Sequence, residues 1–193
     1  KAAGFNIAGT VYNYQVNPSF GGPIMKDKVW FYYTYKYEDG KINVPSSKFP
    51  DGSTAYRNLM GNYSNVGRVT WAASSKDKIR LYLDKQFNGE FFNGFNTYAV
   101  STPAASTDAF GNGWVSELKW TRAHSSRLLL EAGISSYNQG YEQNCTKLAG
   151  PRDLPHLNGS TGLLSGACGY FIPPYSSKTA TYSTAASASY VTG

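Results

Sequence analysis

The sequence predicts an all-β protein whose antiparallel strands run up and down as part of the wall of a transmembrane β-barrel. Three observations carry that expectation. Segments of about ten residues alternate apolar and polar side chains without a break, the length needed to cross a bilayer at a tilt. The connections between them are strictly unequal: short and charged on one edge, long and polar on the other. The unit of strand, short turn, strand and long loop also repeats, because the basic residue closing each short turn falls at Lys28, Lys78 and Arg127, 50 and then 49 residues apart. Propeller blades have periods of this size, but a blade needs four short strands and several comparable turns. Two long strands with one short and one long connection match an outer-membrane barrel, with periplasmic turns and extracellular loops.

The first hairpin is the clearest. Tyr12, Tyr14, Val16, Phe20 and Ile24 share one parity, with Asn13, Gln15, Asn17 and Ser19 on the other. Pro18 cannot donate to a strand ladder, so it predicts a bulge or an unpaired position there. After Gly21-Gly22-Pro23 the tight turn Met25-Lys26-Asp27-Lys28 leads into an outgoing strand. There Val29, Phe31, Tyr33, Tyr35 and Tyr37 oppose Trp30, Tyr32, Thr34, Lys36 and Glu38. From Glu38 the sequence reads as loop for about 25 residues, with Asp39-Gly40, Pro45, Pro50-Asp51-Gly52 and Gly61-Asn62 as breakers.

A second hairpin follows around Ser75-Lys76-Asp77-Lys78. Val69, Trp71 and Ala73 lead in, and Ile79, Leu81, Leu83 and Phe87 lead out opposite Arg80, Tyr82, Asp84 and Gln86. Lys85 falls on the apolar parity, which places it near the outer rim or requires a bulge after Leu83. Asn88 to Asn112 reads as a second long loop. The third hairpin brings in Trp114, Leu118 and Trp120, turns at His124-Ser125-Ser126-Arg127, and leaves through Leu128, Leu130, Ala132 and Ile134. A third loop runs from Cys145 to Lys178, and a seventh strand starts near Thr179. Trp30, Trp71 and Trp120 lie near the turns, and Tyr12, Tyr35, Tyr37 and Phe87 lie toward the loops, as two interfacial aromatic bands would.

Composition bounds the remaining classes. The 193 residues are 41% hydrophobic, and no window approaches the run of about 18 apolar residues that a spanning helix needs. Sixteen Tyr and ten Phe against two Met favour strands over helices. The formal charge is +6, but the basic residues are scattered along the sequence, which argues against nucleic acid as a partner. The chain opens on Lys-Ala-Ala-Gly, without an initiator Met, as expected of a mature product or of a piece of something longer.

No catalytic constellation emerges, and no cofactor is expected. Asp84, Glu117 and Glu131 share the inward parity with Arg68, Arg80 and Lys119, the ordinary lining of a barrel lumen. Cys145 and Cys168 sit in one Gly- and Pro-rich segment and are expected to form a disulfide in an oxidising compartment. His156 between them matches no zinc spacing, so no metal site is assigned. The candidate ligand contacts are loop aromatics able to stack on a sugar, a peptide or a chelate: Tyr56, Phe91, Phe92, Phe95, Tyr98, Tyr170 and Phe171.

The stretch Ser19-Phe20-Gly21-Gly22-Pro23-Ile24-Met25-Lys26-Asp27-Lys28-Val29-Trp30-Phe31-Tyr32 resembles an early barrel hairpin of TonB-dependent outer-membrane receptors. The subgroup concerned carries an N-terminal domain like the regulatory domain of carboxypeptidases. Val66-Gly67-Arg68-Val69-Thr70-Trp71 and Ser189-Tyr190-Val191-Thr192-Gly193 are similar to later strands of that subgroup. The resemblance covers the strands and none of the loops. It implies a 22-stranded barrel in the outer membrane, plugged by its own separate domain, importing a scarce nutrient such as a siderophore, an oligosaccharide or a peptide with energy passed by TonB. Residues 1–193 then supply six strands and the start of a seventh from a barrel of roughly 550 residues, without the plug. A plugless passive porin is the second expectation. A secreted soluble β-rich binding module or adhesin, its apolar parity buried as a core, is the third.

Overall fold

The computed structural model describes residues 9–93, 103–149, 153–161, 164–166 and 175–192. These residues form one long antiparallel meander and a small satellite hairpin. The strands are β1 (Thr10–Val16), β2 (Ser19–Met25), β3 (Val29–Lys48), β4 (Thr54–Ala72), β5 (Asp77–Asn93), β6 (Thr107–Ala123) and β7 (Leu128–Cys145), then β8 (Pro155–Leu157), β9 (Leu164–Gly166) and β10 (Tyr175–Tyr190). The only helical element among the described residues is a 3-10 turn at Pro103–Ala105.

Strands β3, β4, β5, β6, β7 and β10 pair each with the next, and β1 and β2 both pair with β3. This is the up-and-down order that short and long connections in alternation predict. The first strand is broken where Pro18 falls. β1 ends at Val16 and β2 begins at Ser19, while the Pro18 carbonyl accepts a hydrogen bond from Tyr35 N at 3.0 Å. Among the described residues the sheet is open, with β10 at one edge and β1 and β2 at the other, and these edges do not pair with each other.

Register fixes two faces. Val29, Trp71, Ile79, Trp120 and Ala132 align across five strands, and Phe31, Val69, Leu81, Leu118 and Ile134 align two residues farther along. Residues paired across a ladder point to the same side. One face therefore carries the large apolar groups and the other the charged ones. The apolar face is uncovered: Phe20, Ile24, Leu83, Leu118 and Ile134 are 42–64% exposed. Only Val44, Ala55, Ala105 and Ala109 are buried hydrophobics among the described residues, far short of what a soluble domain of this length encloses.

Two expectations are corrected and one alternative is decided. The first two loops are much shorter than predicted, because β3 and β4 climb to a five-residue turn at 49–53 and β5 and β6 climb to Asn93 and Thr107, while the third connection, between Cys145 and Tyr175, keeps nearly its predicted bounds. Cross-strand hydrogen bonding continues through the breakers. In β4 a bulge opposite Glu38–Gly40 is accommodated by Gly61, whose φ of 55° suits glycine. No bulge follows Leu83: Leu83, Lys85 and Phe87 pair in unbroken register with Ser116, Trp114 and Asn112, so Lys85 remains on the apolar face. Its ammonium is hydrogen-bonded to Asn112 Oδ1 and lies 4.6 Å from the Trp114 ring centroid. Trp30 is paired with Thr70 on the polar face, leaving Trp71 and Trp120 to form the turn-side band.

The loop-side band is continuous. Tyr35 and Tyr37 stack at 6.4 Å, Tyr63 and Phe87 at 5.4 Å, and Phe87 and Phe110 at 6.4 Å. Phe110 stands two residues beyond Asn112, the partner of Phe87, so the band climbs across the sheet as it does where strands tilt to a barrel axis. From Val29 to Tyr37 is nine residues, close to the roughly 9–11 a tilted strand uses to cross the hydrocarbon.

Candidate functional site

The polar face is built by the alternate residues of the same ladders. Tyr32, Arg68, Tyr82, Glu117 and Ser135 align on it, and Thr34, Val66, Asp84, Val115 and Tyr137 align next. Several of its charged groups have local partners. Lys119 Nζ lies 2.9 Å from Glu131 Oε1, which also accepts the Thr121 hydroxyl at 3.3 Å, and the Arg68 guanidinium lies 5.7 Å from the Tyr82 ring centroid. Asp84 is 4% exposed and accepts hydrogen bonds from Ser64 Oγ at 2.7 Å and Gln86 Nε2 at 2.5 Å. The carboxylates predicted to face a lumen thus share one surface with Arg68, Arg80 and Lys119. Toward β10 the side chains shrink to Gly133, Ser135, Ser183 and Ala185, leaving a hollow of about 330 Å³ beside Glu117, Lys119 and Glu131.

At the loop end the strands carry a small cap. Val44, Ala55 and Ala105 form its core, with Phe49 and Phe92 packed against them. Phe49 meets Tyr56 at 4.9 Å and Phe92 at 5.1 Å, and Tyr56 meets Phe92 edge-on at 5.7 Å. Lys41 Nζ lies over the Tyr56 ring, 3.6 Å from its centroid. Arg57 Nε donates to Glu90 Oε1 at 3.0 Å just below. The β8–β9 hairpin stands beside the 3-10 turn. Cys145, at the end of β7, is disulfide-bonded. The chain has one other cysteine, Cys168, which lies outside the described residues.

Asp108 sits at the rim of this cap, beyond the aromatic band. Burial pushes its carboxyl above the ordinary range, against the opposing pull of the Phe92 N–H, 3.2 Å from Oδ1, and of Lys147. The turn at 49–53 is held by Asp51, whose Oδ1 accepts from Ser53 Oγ at 2.7 Å and Ser53 N at 2.9 Å. Those hydrogen bonds hold the Asp51 carboxyl below its usual value.

The predicted ligand aromatics divide. Tyr56 and Phe92 are brought together in the cap. Phe91 belongs to β5, packs edge-on to Phe110 at 6.1 Å and joins the loop-side band of the apolar face. Phe95, Tyr98, Tyr170 and Phe171 lie outside the described residues. The sequence reading missed Phe49 and Lys41, which complete the cluster. Phe49 precedes Pro50-Asp51-Gly52, a turn signal that places it at a hairpin tip beside whatever the next strand brings up. Among the described residues no group of three His, Cys, Asp or Glu gathers as a metal site, and His156 lies in β8 opposite Ser165.

In comparisons with family models, with curated proteins and with solved structures, the chain matches none.

Proposed function

We propose that the chain is a wall-and-loop segment of an outer-membrane β-barrel, and that the barrel is an active transporter of the TonB-dependent type. The observation that carries the membrane assignment is the uncovered apolar face. Phe20, Ile24, Leu83, Leu118 and Ile134 on it are 42–64% exposed, rows of Trp and of Tyr and Phe border it, and only four hydrophobic residues are buried anywhere among the described residues. Contiguous exposure of this kind is rare on soluble monomers, and lipid is the surrounding that makes it favourable. Among the described residues no helix is long and apolar enough to cross a membrane.

The transporter assignment rests on the resemblance of the Ser19–Tyr32 hairpin, and the two open edges suit it because strands of the same barrel would cover them. The polar face would line the lumen and meet the plug. The cap around Phe49, Tyr56 and Phe92, with Lys41 over the Tyr56 ring, would offer a scarce nutrient rings for stacking and a cation for its polar groups. Energy would arrive through TonB and the plug, outside this segment.

The test is to sequence the reading frame on both sides of the chain. A plug domain and a TonB-contact motif upstream, with some fifteen further alternating strands, would support active transport. A full barrel without a plug would point to a porin. A frame confined to these residues, giving a monomer that melts cooperatively in plain buffer, would replace the barrel with a soluble β-rich module.

A further inference from the structure

We propose that the turn end of the sheet is a docking rim for anionic phospholipid headgroups, which sets the orientation of the chain in its membrane. The inference rests on the barrel reading and adds a binding surface to it. Basic residues that look scattered in the sequence are gathered here by the fold. Lys26, Lys28, Lys76, Lys78, Arg122 and Arg127 stand in or beside the three short turns, with only Asp27 and Asp77 against them. Six cations and two anions leave +4 of the chain's +6 at this one edge.

The three turns form one continuous rim. Ala72 N donates to Lys28 O at 2.7 Å, Ala123 N to Lys76 O at 2.9 Å and Val191 N to Arg127 O at 2.9 Å, and Lys76 Nζ reaches His124 O at 3.3 Å. Asp77 is already matched within the rim, 3.3 Å from Arg122 Nη1 and accepting from Ser74 Oγ at 2.6 Å. Lys26, Lys28, Lys76, Lys78 and Arg127 are exposed. They outnumber the exposed acid Asp27 five to one.

The chemistry of the neighbours selects a lipid surface over an acidic protein. Trp120 lies on the apolar face directly above the rim and turns its Nε1 toward it, donating to Asp77 Oδ1 at 3.0 Å. That is the posture of an interfacial tryptophan, with its ring body in hydrocarbon and its N–H at the polar boundary. Trp71 stands in the same row, paired with Ile79, which pairs with Trp120. Flexible lysines strung just beyond this row lie at headgroup depth, where mobile phosphates need point charges and no fixed fork. The opposite end lacks the bias, since seven of the twelve acidic residues lie there, among them Glu38, Asp51 and Glu90.

The test compares the barrel containing this chain in vesicles of phosphatidylcholine alone and in vesicles with about 30 mol% phosphatidylglycerol, a fraction that gives a substantial negative surface potential. Folding is read by heat-resistant mobility on gels, and association by flotation and tryptophan emission. The wild type is expected to fold into both vesicles and to associate about tenfold more tightly with the anionic ones at low salt, with the difference collapsing near 0.5 M salt, where the screening length falls to about 4 Å. The variant K26Q/K28Q/K76Q/K78Q/R127Q should fold into neutral vesicles and lose the preference. The loop-end control K48Q/K147Q/K178Q should keep it. A wild type that folds without preferring anionic lipid would overturn the rim while leaving the barrel standing, as would a control that loses as much as the rim variant. A rim variant that keeps the lipid preference but loses capture of an acidic protein would overturn the rim in favour of a protein partner. Failure to fold into neutral vesicles would overturn the barrel reading and the rim with it.

Discussion

Placing the same charge at successive depths along β5 gives the sharpest test of which solvent faces the apolar side. Ile79, Leu81, Leu83, Lys85 and Phe87 all project from that face, in unbroken register with β6. Leu83 is central, four residues from both Ile79 and Phe87, so about 13 Å of strand separates it from each aromatic band. In a bilayer an arginine at the midplane costs about 2–4 kcal/mol and one near an interface about 0–1 kcal/mol. Sterics do not blur the comparison, because Leu83 is flanked by Ser116 and by Gly67, around which a Cβ would meet nothing within 4 Å. Leu83→Arg is thus expected to lower the folding equilibrium by about 30- to 900-fold and Ile79→Arg by less than about 6-fold. On a solvated surface, a leucine already 42% exposed would change stability by no more than about 0.5 kcal/mol at either site. Denaturant unfolding of the barrel in neutral vesicles, followed by tryptophan emission at unchanged m-value, measures the profile. A flat profile, with Leu83→Arg no costlier than Ile79→Arg, would refute the lipid-facing assignment.

Other outcomes follow from local geometry. Asp27 holds a φ of 58° in the first turn, so Asp27→Gly should raise stability by about 1 kcal/mol while the Lys28 N to Met25 O bond of 3.1 Å is kept; a loss of stability would show that the aspartate side chain matters more than its backbone strain. At the β4 bulge Gly61→Ala should cost about 1–2 kcal/mol because its φ is 55°, whereas Gly67→Ala on the same strand should be neutral or stabilising, and equal effects would contradict the bulge. Asp108 has a raised carboxyl pKa, so the folded state binds more protons than the unfolded one and stability falls as pH climbs from the ordinary carboxylate range through the raised value. Asp108→Asn retains an Oδ1 acceptor for Phe92 N and should be more stable than wild type at pH 7, with a flatter pH profile; unfolding midpoints across pH 3 to 8 decide, and a less stable variant would refute it.

The parts of the fold legible in the sequence are those where a two-sided strand or a turn imposes a strict rule. Alternation from Val29 to Tyr37 and from Ile79 to Leu83, the first Lys-Asp-Lys turn and the break at Pro18 appear where expected, whereas the second turn falls at 73–76 and leaves Asp77 and Lys78 inside β5. Beyond Glu38 the rule lapses, because a strand with no continuous apolar face to keep needs only its ladder partners. Glycines and prolines there read as loop although Gly40 pairs with Leu59 and Lys48 with Thr54. The cap was half legible. Tyr56 and Phe92 look alike in sequence to Phe91, and only the local backbone at the end of β5, with a φ of 56° at Phe92, sends the Phe92 ring to Phe49 and the Phe91 ring to Phe110.

The same reasoning explains why one sheet carries so little core. Every internal strand is hydrogen-bonded on both sides, so the backbone is satisfied without a second layer. Side-chain burial is not, and soluble sheets meet that need by packing a helix layer or another sheet on the apolar face. Such a layer selects interlocking aliphatic groups along the whole strand, with no reason to border them with aromatic rows at both ends. Here the aliphatic groups Leu81, Leu83, Leu118 and Ile134 are confined between Trp71 and Trp120 below and Tyr37, Tyr63 and Phe87 above. Lys85, the one cation between the bands, is tied to Asn112 and Trp114 rather than left to the apolar surroundings. A lipid layer accounts for all three features together: the aliphatic belt, its aromatic borders and the neutral partners of its single lysine.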